Sequence, residues 1–208
     1  MPPATPTRRT VLAGLAASLA VAGCAAPVAS RKRPPTPLEI SRLAAAIRAL
    51  GPGVDAEEAE RAARVAYVHT AELAEAYQIT DPPLVHNAKV NRGLRPRGLC
   101  WHWAEDMEKR LKAERFRTLD LHRAIANADN PVRIEHSTAI ISARGAPMQE
   151  GIVLDPWRRG GILTWVPVRE DRRYRWHPRM QVLRETGRVI ERSPSSLGLS
   201  QASPPSAG

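Results

Sequence analysis

Three residues in this chain have the types and settings that nucleophilic acyl chemistry needs: Cys100, His136 and Asp155. Cys100 follows Arg97-Gly98-Leu99, and Cys100, Trp103, Ala104, Met107 and Leu111 fall at i, i+3, i+4, i+7 and i+11, one face of a 3.6-residue helix. The thiol therefore starts the buried stripe. It also meets the positive end of the helix dipole, which favours thiolate, the form that attacks carbonyls. No Ser, Thr, Asp or Asn stands within five residues before Cys100, so the usual cap for the first helical N–H groups is missing and those donors are open to a ligand. On the outer face Glu105 precedes Lys109, and Glu108 precedes Lys112, by four residues, the favourable order for helix ion pairs. The bland reading of a lone cysteine is a small buried hydrophobe.

His136 and Asp155 each interrupt an apolar run, in Ile134-Glu135-His136-Ser137-Thr138-Ala139-Ile140-Ile141 and in Gly151-Ile152-Val153-Leu154-Asp155-Pro156. If the two runs pair as a hairpin about the Gly145 turn, His136 lies nine residues before its centre and Asp155 ten after. The two would then be nearly opposite, and the carboxylate would select the ring's tautomer and stabilise its charged form. Taken singly, His136 reads as a strand-edge histidine and Asp155 as a turn starter before proline. Together with a helix-terminal cysteine they read as a site. His122 is the rival base but has no carboxylate so well placed, His102 points to another helix face than Cys100, and His69 reads as a hydrogen-bonded core histidine. Nothing has paired metal-ligand spacing, and no cofactor is called for.

The positioning elements follow from capping and periodicity. Thr36-Pro37-Leu38-Glu39 is a capping box with proline at the first helical position, and Gly51-Pro52-Gly53 ends that helix. A second helix starts at Asp55, with Glu58 three residues on, and runs to about Tyr77 with Ala62, Val65, Ala66, His69, Leu73 and Ala76 inward. Residues Leu84 to Arg97 read as an irregular approach carrying His86, Asn87, Asn91 and Arg92, and loops of this kind commonly carry site residues. After the Cys100 helix the period shortens to two, predicting strands over Phe116–Ala124, Ile134–Ala143, Ile152–Leu154 and Ile162–Val168. Trp176 to Arg184 reads as an irregular or edge element. Short connections imply antiparallel neighbours, and the class is α+β, with N-terminal helices followed by a helix packed on an antiparallel sheet.

At the N-terminus, Thr7-Arg8-Arg9-Thr10-Val11-Leu12 and an apolar run to Gly23-Cys24 resemble a twin-arginine export signal joined to a lipobox. Cleavage would fall before Cys24, which would be lipidated. The expected organisation is a signal over 1–23, a tether over 24–37, one domain over 38–192 and a Ser/Pro/Gly-rich tail over 193–208. With Cys24 lipidated, Cys100 is the remaining thiol, and an exported protein keeping one unpaired cysteine is notable because oxidising compartments tend to pair or lose thiols. The net charge of +10 rests on 31 basic residues, only four of them lysine. No nucleic-acid module or aromatic-interleaved basic surface accompanies it, so a nucleic-acid partner is not expected. Anionic headgroups or acidic wall polymers suit an envelope protein better.

A glycine-preceded cysteine on a helix N-terminus, then a strand histidine, then an aspartate in a Leu154-Asp155-Pro156 turn resembles the transglutaminase-like branch of the papain-like cysteine hydrolase superfamily. The likeness covers about Arg92 to Val168 and rests on Gly98-Leu99-Cys100 with Trp103-Ala104, and on Leu154-Asp155-Pro156. It departs at His136-Ser137-Thr138, where the family often has His-Ala-Trp. The resemblance implies Cys100 as nucleophile, His136 as base, Asp155 as orienting acid, and a thioester intermediate released by water or an amine. The N–H of Cys100 is one natural oxyanion donor; Asn87, Asn91 or a tryptophan indole could supply the second. Trp101 and Trp157 flank Cys100 and Asp155 and could wall a groove or pack the sheet. The expectation is a membrane-tethered enzyme acting on peptide or peptidoglycan-like amides, against an inactive envelope binding or assembly module of the same fold.

Overall fold

The structure, a computed structural model, describes residues 33–189. The export signal, the lipidation site Cys24 and the tail from 193 lie outside the described residues, as do tether residues 24–32. Among the described residues five α-helices surround a five-stranded antiparallel sheet, so the class is α+β.

Helix α1 (Pro37–Arg48) starts at the expected capping box: Thr36 Oγ1 accepts from the Glu39 N–H at 3.2 Å, and the Glu39 carboxylate accepts from the Thr36 N–H at 2.9 Å. Arg33, the first described residue and part of the expected tether, is clamped onto that same carboxylate. Helix α2 (Ala56–Ala76) packs on α1 through Ala59, Ala62, Ala63, Val65 and Ala66. One position assigned to its inner face is not there, since Ala76 is exposed; His69 lies at the margin of that face, its side chain 16% exposed and Nδ1 at 2.9 Å from Glu72. Asp55 caps α2 by accepting from the Glu58 N–H at 2.9 Å.

The segment read as irregular contains a helix, α3 (Pro83–Asn91). Its signal is faint for a physical reason. It has no side-chain cap, and of its nine residues His86 alone is buried, while Leu84 and Val85 face solvent. A helix that buries one side chain leaves no 3.6-residue stripe to read.

Helix α4 (Cys100–Lys112) follows, and all five residues of its expected stripe are buried. Met107 and Leu111 press on Ala139, Ile141, Ile152 and Leu154. Glu108 pairs with Lys112 as expected, at 2.9 Å, but Glu105 reaches back to Arg97 at 3.1 Å instead of forward to Lys109.

The strands β1 (Leu119–Ala126), β2 (His136–Ala143), β3 (Ile152–Asp155), β4 (Thr164–Pro167) and β5 (His177–Pro178) lie in the order β4-β3-β2-β1-β5. β2 is buried nearly throughout because both of its faces are covered. Ala139 and Ile141 face the helices, while Ile140 packs with Ala124, Val153, Tyr174 and Trp176 of the segment folded across the far face. The C-terminal element divides: β5 pairs with β1 at the sheet edge, and α5 (Arg179–Glu185) continues from it.

A single buried carboxylate joins the helical layer to the sheet. Glu58, 6% exposed, accepts from the backbone N–H groups of Arg117 and Thr118 and from the Thr118 hydroxyl, at 2.7 to 3.1 Å. Burial raises its pKa, but these donors and Arg61 outweigh it and hold it below the usual 4.5. The Glu58→Gln variant is expected to lose about 1.5–3 kcal/mol in denaturant unfolding at pH 7, the range for charge-assisted hydrogen bonds. Because the folded-state pKa is depressed, that stabilisation is present above 4.5 and fades as the pH falls through the folded value. The gap between wild type and variant should close in acid.

Candidate active site

The turn before α4 is held from several sides. Gly98 sits at φ +124°, and a Cβ there would lie 2.4 Å from His86 Nε2, so glycine is required by conformation and by space. His86 Nε2 donates to the Arg97 carbonyl at 2.9 Å, and the Trp103 indole donates to the Gly98 carbonyl at 3.0 Å. Arg97 Nε and Nη2 donate to the Asp106 carboxylate at 3.2 and 3.1 Å, and the Tyr77 hydroxyl donates to the same group.

The residues ahead of the helix, though not its first two N–H groups, are capped from within it. His102 Nδ1 accepts from the N–H groups of Gly98 and Leu99 at 3.1 and 3.2 Å, so this ring carries its proton on Nε2 and is neutral. Its pKa lies below 6.5 because of burial and then the Arg97 charge. Such capping from the third helical position is invisible to a search for Ser, Thr, Asp or Asn. The N–H groups of His102 and Trp103 bond the Leu99 carbonyl, which leaves those of Cys100 and Trp101 without an acceptor among the described residues.

The structure brings Cys100, His136 and Asp155 together. Cys100 is 9% exposed and packs beside Leu73, Tyr77, Ile79, Trp103 and Trp157. Its thiol donates to the Glu135 carbonyl at 3.7 Å, which puts the sulfur at the start of β2. Next in the chain, His136 Nε2 lies 2.6 Å from Asp155 Oδ2, both residues 1% exposed. The other ring nitrogen, Nδ1, is buried without a hydrogen-bond partner among the described residues.

The pairing arises from a register two residues away from simple opposition. Ala139 faces Leu154 and Ile141 faces Ile152, so Asp155 falls level with Thr138, and His136 stands one diagonal step along the same face. An even offset preserves the face, because side chains alternate with period two. Thr138, where this chain departs from the pattern of the resembled family, donates to the Leu154 carbonyl at 3.1 Å and ties β2 to β3.

Asp155 also accepts from Arg158: Oδ1 from its N–H at 3.1 Å and Oδ2 from Nε at 3.0 Å. Arg158 in turn grips both oxygens of Asp171 at 3.2 and 2.7 Å, and the Trp176 indole donates to Asp171 at 2.9 Å. The result is a row of alternating charges, His136, Asp155, Arg158, Asp171. Three aromatic rings close around His136, with centroids 4.6 Å away for Trp157 and Tyr174 and 5.4 Å for Trp176. Sequence reasoning missed Arg158, Asp171, Tyr174 and Trp176; the nearest signal was Arg158, three residues beyond Asp155 in a turn.

Burial favours the neutral forms of both partners, and in both it is outweighed. The His136 pKa is pushed up to about 9: desolvation lowers it, and the Asp155 charge and hydrogen bond, with a smaller contribution from Cys100, raise it past the ordinary value. Asp155 is held below 3.8 by His136 and Arg158 against its own desolvation.

The remaining expected residues separate clearly. Trp157 lines a cavity of about 430 Å³ shared with His136, Arg158 and Tyr174. Trp101 does not; it is 45% exposed, with the Arg97 guanidinium 5.9 Å from its ring centroid. Asn87 Oδ1 accepts from the Trp157 indole at 3.0 Å, whereas Asn91 is exposed at the far end of α3, outside that cavity. His122 turns to Ser142 at 2.8 Å. Among the described residues no group of three or more His, Cys, Asp or Glu side chains is arranged to hold a metal, and no helix is long and apolar enough to cross a membrane.

Nitrogen-detected NMR of the imidazole is expected to find His136 protonated up to about pH 9, and neutral at pH 7 in the Asp155→Asn variant, where burial acts without a counter-charge. The corresponding stabilisation is complete below 6.5 and lost as the pH rises through about 9, since the folded-state value is the raised one.

Comparison with known proteins adds no relative: no protein-family model, no curated protein and no solved structure matches the chain.

Proposed function

We propose that the protein is a cysteine-dependent hydrolase or acyltransferase of amide bonds, with a transglutaminase-like arrangement of Cys100, His136 and Asp155. One observation carries this reading. A buried imidazole has one nitrogen locked to a carboxylate, and its other nitrogen, unpartnered, belongs to a ring whose charge Cys100 helps to hold. His86 also buries an Nδ1 unpartnered among the described residues, but its other nitrogen meets a backbone carbonyl, so the carboxylate lock and the neighbouring thiol are what set His136 apart.

The chemistry follows from the roles. His136 already carries a proton on each nitrogen at neutral pH, so the thiol proton leaves to solvent, and the thiolate, paired with the imidazolium, attacks the amide carbonyl. The oxyanion is met by the N–H of Cys100 at the helix terminus, where the dipole adds to the field. Asn87 is the second donor in this reading: its oxygen is tied to Trp157, which leaves its NH2 as the available end. His136 then protonates the leaving amine, and a thioester remains. Water, or an acceptor amine, gives its proton to His136, attacks the thioester and returns the thiolate. Asp155 stays ionised throughout and keeps the ring oriented.

In this reading the mature protein begins at a lipidated Cys24 after twin-arginine export, and the domain works on the cell envelope. The order of Arg8-Arg9, a short apolar run and a cysteine supports that placement.

The test is alkylation. Iodoacetamide is expected to label Cys100 in the folded protein, with a rate that persists near pH 6, and His136→Ala should slow labelling by about 100-fold or more, the size of a general-base effect. Cys100→Ser should abolish thioester formation, read by mass spectrometry, while unfolding at nearly the wild-type midpoint. Labelling confined to denatured protein would instead support the inactive binding module.

A further inference from the structure

The segment that covers the far face of the sheet is strongly basic, and its charge is poorly matched. Arg169 has Glu150 at 3.0 Å, but Arg172, Arg173 and Arg175 have no carboxylate partner among the described residues, nor does Arg133 opposite them. Three guanidinium groups converge on one ring: the centroid of Tyr174 lies 4.8 Å from that of Arg158, 5.7 Å from Arg133 and 5.9 Å from Arg173. Arg158 is neutralised by Asp155 and Asp171. Arg133 finds only the Arg173 carbonyl, at 2.8 Å, and the Arg173 guanidinium has no hydrogen-bond partner among the described residues.

These cations belong to the candidate site. The Tyr174 ring that they share stands 4.6 Å from the His136 ring. Arg133 and Arg173 line the cavity of about 430 Å³ that His136 and Trp157 also line, and the same two arginines with Tyr174 line a second cavity of about 600 Å³. Pro83, Leu84 and Ile134 give the first cavity an apolar wall.

Two like charges beside one ring repel unless an anion lies between them, and a guanidinium offers a planar fork that fits a carboxylate through two hydrogen bonds. We propose that Arg133 and Arg173 form the acyl-donor subsite, taking a peptide that carries a carboxylate next to the amide under attack. This rests on the catalytic reading above. A carboxylate there meets two arginines while its backbone amide reaches the His136 end of the same cavity. The size of the cavity and its apolar wall beside His136 suit a peptide side chain. Arginine stays charged across the working pH range, so selectivity titrates with the carboxyl group of the substrate.

Binding and turnover are separable tests. The Cys100→Ala protein is titrated with N-acetyl-Ala-Glu-amide and N-acetyl-Ala-Gln-amide by calorimetry. The glutamate peptide is expected to bind at least ~10-fold more tightly, about 1.4 kcal/mol, with the preference weakening between 50 and 500 mM salt, as screening requires. Arg173→Gln, whose side chain bonds nothing in the fold, should cut the preference several-fold, and Arg133→Gln with Arg173→Gln should abolish it. Equal binding of the two peptides, or binding of neither, overturns the proposal. So does an arginine-dependent attachment to phosphatidylglycerol vesicles without any peptide preference, which would make a lipid headgroup the occupant. Glutamate-selective binding with no turnover by the Cys100 protein would leave the subsite standing and overturn the catalytic reading. Equal kcat/KM for the two peptides would do the reverse.

Discussion

The buried pair of His136 and Asp155 is the constraint around which the sheet and its covering segment are arranged. At 2.6 Å, with both residues 1% exposed, neither charge could remain without the other, since an isolated buried ion neutralises or drags in water. The pair is not left to balance itself. Arg158 and Asp171 extend it into a row of alternating sign, and both oxygens of Asp155 meet donors. The row draws on β2, the end of β3, the turn after it and the segment before β5. Misplacing any of these would strand a charge in the interior.

The nucleophile end is built differently. Around Gly98 the backbone is secured by neutral groups, two indole or imidazole donors on carbonyls and His102 accepting two backbone N–H groups, while the Arg97 side chain is tied to Asp106. This gives a turn held on several sides ahead of the sulfur. The two assemblies meet where the Cys100 thiol touches the Glu135 carbonyl. Electrostatic tuning therefore comes from the histidine side and geometric precision from the cysteine side. The aromatic rings around His136 exclude water from the junction, and in such a medium the imidazolium–carboxylate attraction counts for more than it would at the surface.

Much of the candidate site was legible because its parts lie on regular elements. The stripe from Cys100 to Leu111 is a helical period, and the period-two runs around His136 and Asp155 announced two adjacent strands. A hairpin centred on Gly145 would set His136 opposite Leu154, an odd step from Asp155. A 3-10 turn over Met148–Glu150 intervenes, and the observed register, three residues away, sets Asp155 level with Thr138, an even step from His136, which brings both side chains to one face. The illegible parts fail for physical reasons of their own. Helix α3 buries one residue and so writes no stripe. His102 caps from inside its helix. Asp171, Tyr174 and Trp176 sit in a segment with no period and gain meaning only by folding back over β2.

The amino-acid sequence by itself determined the helices α1, α2 and α4 and the strands β1 to β4, that the thiol opens an amphipathic helix, and that a histidine and an aspartate lie close together on neighbouring strands. These are local properties, set by spacing along the chain. Tertiary structure alone decided that Trp157, but not Trp101, reaches the cavity, that Arg158 and Asp171 complete the charge row, and that unmatched arginines gather beside the His136 ring. Those outcomes depend on which distant segments cover a given face, and pairwise packing across tens of residues leaves no periodic trace in the chain that encodes it.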